Sequence, residues 1–184
     1  MFPQQTDIEQ KILQIYSDDP QRGFKLLMDC YQEPVYYYVR RQLVSHDDAE
    51  DVTQEVFIRI FRGLDGFKRN SSLTTWIYTI ATREVLRWLE KRQEMELVSA
   101  EALQEELVGK LKASEYVDYE NELSVKFQAA VLSLPEKQRL VFNLRYYDEL
   151  DYEQIAHILE GTPEAMKVNY HYAKDKIKEY ILNN

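Results

Sequence analysis

Apolar residues recur every three to four positions along most of this chain, the spacing that gathers side chains on one face of an α-helix. The first such stripe is Phe24, Leu27, Met28, Tyr31, Val35 and Val39. Asp18-Asp19-Pro20 opens that helix, since proline is tolerated in a first turn. Pro34 inside it predicts a kink or a break. A second helix opens at Ser45, with Asp48 three residues on in a capping-box arrangement. Its stripe is Ala49, Val52, Val56, Ile60 and Leu64, and Gly63 and Gly66 suit its C-terminal stop. A polar, basic loop over residues 67–72 follows. Ser71 or Ser72 then caps a third helix built on Leu73, Trp76, Ile77, Ile80, Ala81, Val85, Trp88 and Leu89.

A second helical block starts near Asn121. Ser133-Leu134-Pro135-Glu136 begins a helix through Leu140, Val141, Leu144 and Tyr147. Asp151 caps a short helix, Tyr152 to Leu159, and Glu160-Gly161 makes a tight turn. Thr162-Pro163-Glu164 then starts the last helix with an N-cap, a proline at the first position and an acid in the first turn. A short helix, a tight turn and a longer capped helix form a helix-turn-helix pattern. The expected fold is all-α: two small helical domains, residues 1–93 and 121–184, joined by an acidic linker, residues 94–120.

Composition supports that architecture. The 184 residues include only five glycines and five prolines, both helix breakers. Apolar residues make up 45%, enough to build a core and to exclude wholesale disorder. The single cysteine, Cys30, excludes an internal disulfide framework and a cysteine-built zinc site, and reads as a small buried apolar residue. The start, MFPQQTDIEQ, has neither the basic beginning nor the apolar core of a signal peptide. No apolar run approaches the roughly 18–20 residues of a membrane helix. The expectation is a cytoplasmic protein without membrane insertion.

Charge changes the picture further. The net charge of −9 is unevenly spread. From Arg59 to Arg92 eight cations face only Asp65, Glu84 and Glu90, about +5. From Glu94 to Glu122 nine carboxylates face Lys110 and Lys112, about −7. Opposite its apolar stripe the second helix carries Asp47, Asp51, Gln54, Glu55 and Ile58, an acidic strip containing one apolar residue that suits a basic protein partner. On the third helix Thr75, Thr79, Arg83 and Arg87 recur every four residues beside Trp76, next to the loop residues Lys68, Arg69, Asn70, Ser71 and Ser72. Cations hold phosphates, while hydroxyls, amides and aromatic faces hold unstacked bases, a mixture suited to single-stranded nucleic acid. The last helix presents Glu164, Lys167, Val168, His171 and Lys174, in the position where a recognition helix enters a major groove. His46, His157 and His171 lack metal-ligand spacing, and there is no phosphate-cradling glycine loop or nucleophile elbow. Neither an enzyme nor a cofactor is expected.

These segments resemble a known family. Residues 48–57, DAEDVTQEVF, are similar to the core-polymerase-binding helix of bacterial sigma factors. Residues 67–81, FKRNSSLTTWIYTIA, are similar to their promoter-melting segment. Leu134-Pro135-Glu136-Lys137-Gln138-Arg139 and Leu150-Asp151-Tyr152-Glu153-Gln154-Ile155-Ala156 resemble the opening of their −35-reading domain. The two-domain layout is that of the extracytoplasmic-function type of the sigma-70 family. The resemblance implies that Asp51, Gln54 and Glu55, with Asp47 and Ile58 on the same strip, dock on core RNA polymerase. It implies that Phe67, Lys68, Arg69, Asn70, Ser71, Ser72, Trp76, Thr79, Arg83 and Arg87 hold melted −10 DNA. It assigns Thr162, Lys167, Val168, Asn169, His171 and Lys174 to −35 duplex, and makes an anti-sigma factor a further expected partner. The chain departs from the family at Arg83 and Arg87, often Asn and Asp there. It departs again at Glu164-Ala165-Met166-Lys167-Val168-Asn169, where Gly-Thr-Val-Lys-Ser-Arg is usual.

Opening a duplex costs about 1.4 kcal/mol per step, so a bubble of around a dozen pairs costs on the order of 15 kcal/mol. Capturing one flipped base returns only a few kcal/mol. A chain of net charge −9 also meets phosphate unfavourably. Both arguments place polymerase binding before promoter recognition. The other function classes are a helix-turn-helix regulator acting without polymerase, which requires specific DNA binding by the free chain, and a sigma-like adaptor that binds a partner but not DNA.

Overall fold

The computed structural model describes residues 5–96, 99–113 and 122–183. Among them are nine α-helices and one short 3-10 turn, and no strand. The helices are α1 (Gln5–Asp18), α2 (Pro20–Leu43), α3 (His46–Gly63), α4 (Leu73–Glu96), α5 (Ala100–Ala113), α6 (Glu122–Leu132), α7 (Glu136–Tyr146), α8 (Tyr152–Ile158) and α9 (Pro163–Asn183). The all-α fold is as expected from the sequence.

The capping residues set several helix starts. Asp19 caps α2 by accepting from the Arg22 N–H at 3.1 Å, and Pro20 is the first helical residue. Ser45 caps α3 by accepting from the Asp48 N–H at 3.3 Å. Asp151 and Gln154 form a reciprocal capping box at α8, with bonds of 2.7 and 3.0 Å. Thr162 accepts the Ala165 N–H at the start of α9.

Several expectations need correction. The helix α2 runs through Pro34 without a break. Proline removes one backbone bond, but Tyr31, Val35, Tyr38 and Val39 on either side are buried, and that packing holds the helix. Neither Gly63 nor Gly66 has a positive φ; α3 passes directly into the 3-10 turn Leu64–Gly66. In the α8–α9 turn the left-handed residue is Glu160, φ 51°, not Gly161. A Cβ at Gly161 would meet the Met166 methyl, the end of a flexible side chain that can shift to admit it. Cys30 is half-buried rather than fully buried. The acidic segment between the blocks contains the helix α5, with Leu107 buried. There Glu106 binds Arg92 at 2.8 Å and Lys110 at 2.7 Å.

The helices α1 to α4 surround one apolar core, with Ile12, Leu27, Val39, Val56, Ile60, Ile77 and Val85 at its centre. That core continues into the second block through Leu144, Leu150, Ile155 and Ile158. A smaller core under α6, α7 and α9 joins Ala130, Val131, Leu134, Phe142, Ala173 and Ile177. The short helix α8 lies against α4, so the two blocks touch.

The crossing of α1 over α2 depends on Gly23, where a Cβ would fall on the Tyr16 backbone. Backbone cannot give way as a flexible side chain does. Gly23→Ala is therefore expected to cost about 3 kcal/mol through overpacking, despite the better helix propensity of alanine. Thermal denaturation checks this: a lowered midpoint is expected, and an unchanged or raised one contradicts the close approach.

Candidate functional site

Along α3, Asp47, Asp51, Gln54, Glu55 and Ile58 all lie in solvent on the side away from the core. Ile58 is 41% exposed rather than packed on a neighbouring element. One turn on, Phe61 is 57% exposed and makes an edge contact with Phe24 at 5.0 Å. The strip therefore ends in an apolar pair. Beside it, a cleft of about 620 Å³ between α2 and α3 is lined by Glu33, Tyr36, Tyr37, His46, Glu50 and Gln54, among others. Its wall is ordered by Tyr36, whose hydroxyl meets His46 Nδ1 at 2.8 Å, and by a His46–Glu50 contact of 3.3 Å. Phe61, Tyr36 and Tyr37 were not singled out from the sequence, since they fall outside the apolar stripes of their helices.

The basic loop connects the 3-10 turn to α4. Lys68, Arg69 and Asn70 are exposed at its tip, with Arg69 in the left-handed region at φ 56°. Phe67 packs on Trp76 with ring centroids 5.2 Å apart, and both rings are half-buried. Ser72 caps α4: its Oγ accepts from the Thr75 N–H at 3.0 Å and meets the Thr75 hydroxyl at 2.8 Å. Thr75 is thereby buried, and Thr79 donates back to the Thr75 carbonyl at 2.8 Å. The structure thus joins the loop, Trp76 and Thr79 in one surface. The two arginines are engaged elsewhere. Arg83 pairs with Glu160 at 3.2 Å, both side chains well exposed. Arg87 binds both oxygens of Glu84 at 2.7 Å, and Glu84 also pairs with Arg59. This Arg59–Glu84–Arg87 group keeps one surplus positive charge.

On α9, Lys167, Val168 and His171 are exposed, with Val168 at 50%. Asn169 turns back to donate to the Ala165 carbonyl at 2.8 Å. His171 sits 3.4 Å from Asp175. Lys174 lies over the Tyr170 ring at 5.1 Å, at the rim of an apolar groove of about 340 Å³ between α6, α7 and α9. Phe127, Phe142, Tyr146, Ile177 and Ile181 line that groove. Lys174 therefore stands between the strip carrying Lys167 and His171 and the groove.

The two blocks meet at Asp148, which the sequence did not single out. The α7–α8 turn carries it, pinned by the Asp148 and Leu150 N–H groups donating to the Asn143 and Leu144 carbonyls. Arg41 of α2 donates to both Asp148 oxygens at 2.9 Å, and the Tyr78 hydroxyl of α4 donates at 3.0 Å. The Arg41 guanidinium also lies over the Tyr147 ring at 4.4 Å. A cavity of about 150 Å³ at this junction is lined by Arg40, Arg41 and Asn143 among others. On the far side of α4, Gln154 of α8 reaches the Ser72 hydroxyl at 3.4 Å. The helix α8 therefore covers part of the surface formed by the loop and α4.

Residues 27–95 match the family model for sigma-70 region 2, and residues 124–177 match that for sigma-70 region 4. The chain is 30% identical to the ECF RNA polymerase sigma factor SigW of Bacillus subtilis, covering 95% of this chain and 96% of that one. It is 34% identical to the ECF RNA polymerase sigma-E factor of Escherichia coli, covering 98% and 97%. Among solved structures it resembles the sigma factor RpoE in complex with the anti-sigma factor NepR from Bartonella quintana, with TM-score 0.68, 20% identity, and 89% and 99% coverage. It also resembles CnrH in complex with the cytosolic domain of CnrY, with TM-score 0.67, 16% identity, and 94% and 96% coverage. Both likenesses are of fold. No helix among the described residues is long and apolar enough to cross a membrane.

The junction carries a pH dependence. Burial pushes the Asp148 carboxyl up to about 6 against the opposing pull of Arg41 and the Tyr78 hydroxyl. Once the blocks separate, Asp148 returns toward its ordinary 3.8. A raised carboxyl favours closure fully below the lower value, and that contribution is lost as pH rises through about 6. With one fluorophore on each block, lowering pH from about 8 to about 5.5 is expected to raise energy transfer. Transfer that falls over that range contradicts the assignment.

Proposed function

The chain belongs to the extracytoplasmic-function sigma factors of the sigma-70 family, and from that premise we propose which of its surfaces performs each step of initiation. It is a sigma factor that binds core RNA polymerase and directs promoter-specific transcription initiation. Residues 1–93 form the part that holds polymerase and melted −10 DNA, residues 94–120 the linker, and residues 121–184 the −35 reader. The observation that carries this division is the exposure of three chemically distinct strips. One is acidic on α3, one basic and aromatic on the 67–72 loop and α4, and one polar and basic on α9.

The acidic strip suits a basic partner. Asp47, Asp51, Gln54 and Glu55 supply charge and hydrogen bonding, and Ile58 with Phe61 an apolar centre. This strip docks on core polymerase. The −10 surface works by capture. Lys68 and Arg69 attract phosphates, Asn70, Ser71 and Ser72 read base edges, and the Phe67–Trp76 pair offers an aromatic face to an unstacked base. Arg83 and Arg87 lend positive field once their local carboxylate partners are exchanged for phosphate. On α9, Thr162 fixes the start of the helix in the groove, Lys167 and His171 approach phosphate or guanine, and Val168 meets a thymine methyl. Asn169 is committed to the Ala165 carbonyl and Lys174 leans toward the groove, so both contribute less than their register alone suggests.

None of these groups performs covalent chemistry, and the role is non-enzymatic. The chain lowers the cost of melting only as part of the polymerase, which supplies the positive channel that a protein of net charge −9 lacks. An anti-sigma factor is a further proposed partner, since one structural neighbour above is a sigma factor in complex with the anti-sigma factor NepR, and the other is CnrH in complex with the cytosolic domain of CnrY.

The direct test is transcription of fragmented genomic DNA by core polymerase with and without this chain, mapping RNA 5′ ends. Discrete new starts that share two upstream elements are expected. Stable core binding without new starts supports the adaptor reading instead. In the same system Asp51→Arg is expected to weaken core binding about tenfold or more, because like charge then meets the basic partner. Unchanged core binding removes α3 from the polymerase interface.

A further inference from the structure

The −10 surface is a six-residue loop followed by the first turn of α4, so its shape depends on how both ends are held. One end is fixed locally: the Phe67 N–H donates to the Leu64 carbonyl at 3.1 Å, and the Phe67 ring rests on Trp76. The other end is fixed from far along the chain. Glu9 of α1, only 8% exposed, places its carboxylate at the start of α4. One oxygen accepts from the Leu73 N–H at 3.1 Å. The other accepts from the Thr74 N–H at 3.0 Å and the Thr74 hydroxyl at 2.6 Å. The Tyr31 hydroxyl stands 2.7 Å from the Thr74 hydroxyl and closes the group. Together with Ser72, which takes the Thr75 N–H, this satisfies three successive backbone donors that a helix start otherwise leaves open.

We propose that Glu9 is a positioning residue for −10 recognition: it clamps the first turn of α4 so that the 67–72 loop and Trp76 hold one shape for the captured base. This rests on the reading of that loop as the −10 surface. A carboxylate serves here because it accepts several N–H and O–H donors at once and complements the positive end of the helix. An uncharged side chain at position 9 leaves donors open inside a buried site, and the first turn of α4 loosens. Trp76 closes that turn, its N–H donating to the Ser72 carbonyl at 3.1 Å, so its ring moves with that loosening. Neither the acidic face of α3 nor the α9 helix touches the clamp, so core binding and −35 reading are separate from it.

The test compares holoenzymes assembled from core polymerase and full-length chain, on a mapped promoter and on copies bearing single-base changes in the −10 element. The readout is the ratio of open-complex formation on the original to that on the changed copies. A correct base in a recognition site is worth roughly five- to hundredfold, and Glu9→Gln is expected to bring that ratio down to about a third of its wild-type value. Core affinity and the response to −35 changes should stay at their wild-type values. Tyr31→Phe, which leaves the carboxylate in place, is expected to shift the ratio less and in the same direction. Ile12→Val, in the buried face of the same helix, lowers stability without touching the clamp and should leave the ratio intact. An unchanged ratio in Glu9→Gln, or an equal loss in Ile12→Val, overturns the proposal. Lys68→Ala and Asn70→Ala separate it from the reading beneath it. If they leave −10 discrimination unchanged, the loop is not the −10 surface. If they reduce it while Glu9→Gln does not, only the clamp fails.

Discussion

Asp148 is the group on which the arrangement of this molecule turns. It is buried, it carries charge across from the second helical block to the first, and both donors facing it, Arg41 and the Tyr78 hydroxyl, belong to the first. A buried ion pair of this kind is close to break-even against its own desolvation, yet removing one partner is costly because the other is stranded. Such a contact specifies one docked arrangement without welding it. Apolar residues of the second block, Leu150, Ile155 and Ile158, share the core of the first, so closure also has an ordinary hydrophobic component. The balance between a polar centre and an apolar surround makes the junction definite and separable.

The consequence falls on the surface formed by the 67–72 loop and α4, the one proposed for −10 DNA. With Asp148 seated, α8 lies along α4, Gln154 reaches Ser72 and Glu160 holds Arg83. Arg87 is held by Glu84 at the same time. The closed chain therefore covers or neutralises part of the surface proposed for −10 DNA, while the acidic face of α3 stays exposed. This agrees with the charge argument: a protein of net charge −9 gains little from approaching DNA alone, and its exposed acidic strip favours meeting polymerase first. The exposed Arg83–Glu160 pair is worth little by itself, since solvent screens it, and a phosphate replaces the carboxylate at small cost.

How much of this was legible in the sequence depended on distance along the chain. Caps and helix stripes are local, so the starts at Asp19, Ser45, Asp151 and Thr162 and the apolar faces of α3, α4 and α9 were readable directly. The helices α1, α5 and α6 were not separately drawn from the pattern. Pro34 does not break α2 because its local cost is outweighed by burial on both sides, a tertiary effect that no window of neighbours reveals. The acidic strip on α3, the loop and the α9 strip could be placed because each lies within one element. Glu9 could not, since its partners lie 64 and 65 residues away, nor could Arg41, 107 residues from Asp148. In sequence each is one more charged residue on a helix, and only packing shows that Glu9 is buried, Arg41 half-buried, and both paired. The same limit applies to Arg83 and Arg87, whose spacing suggested free cations and whose carboxylate partners lie on another element or on the hidden side of α4.

We propose that this sigma factor rests closed, with α8 over the surface assigned above to −10 DNA, and that it reads promoters once the two blocks separate. The most direct measurement ties Ser72→Cys to Gln154→Cys with a short cleavable cross-linker, in a chain whose Cys30 is replaced by alanine, and follows open-complex formation with core polymerase. The account predicts that the tethered chain still binds core but forms no open complex, and that cleaving the linker restores what the unlinked double variant achieves. Open complexes formed equally well by the tethered and released chains would contradict it.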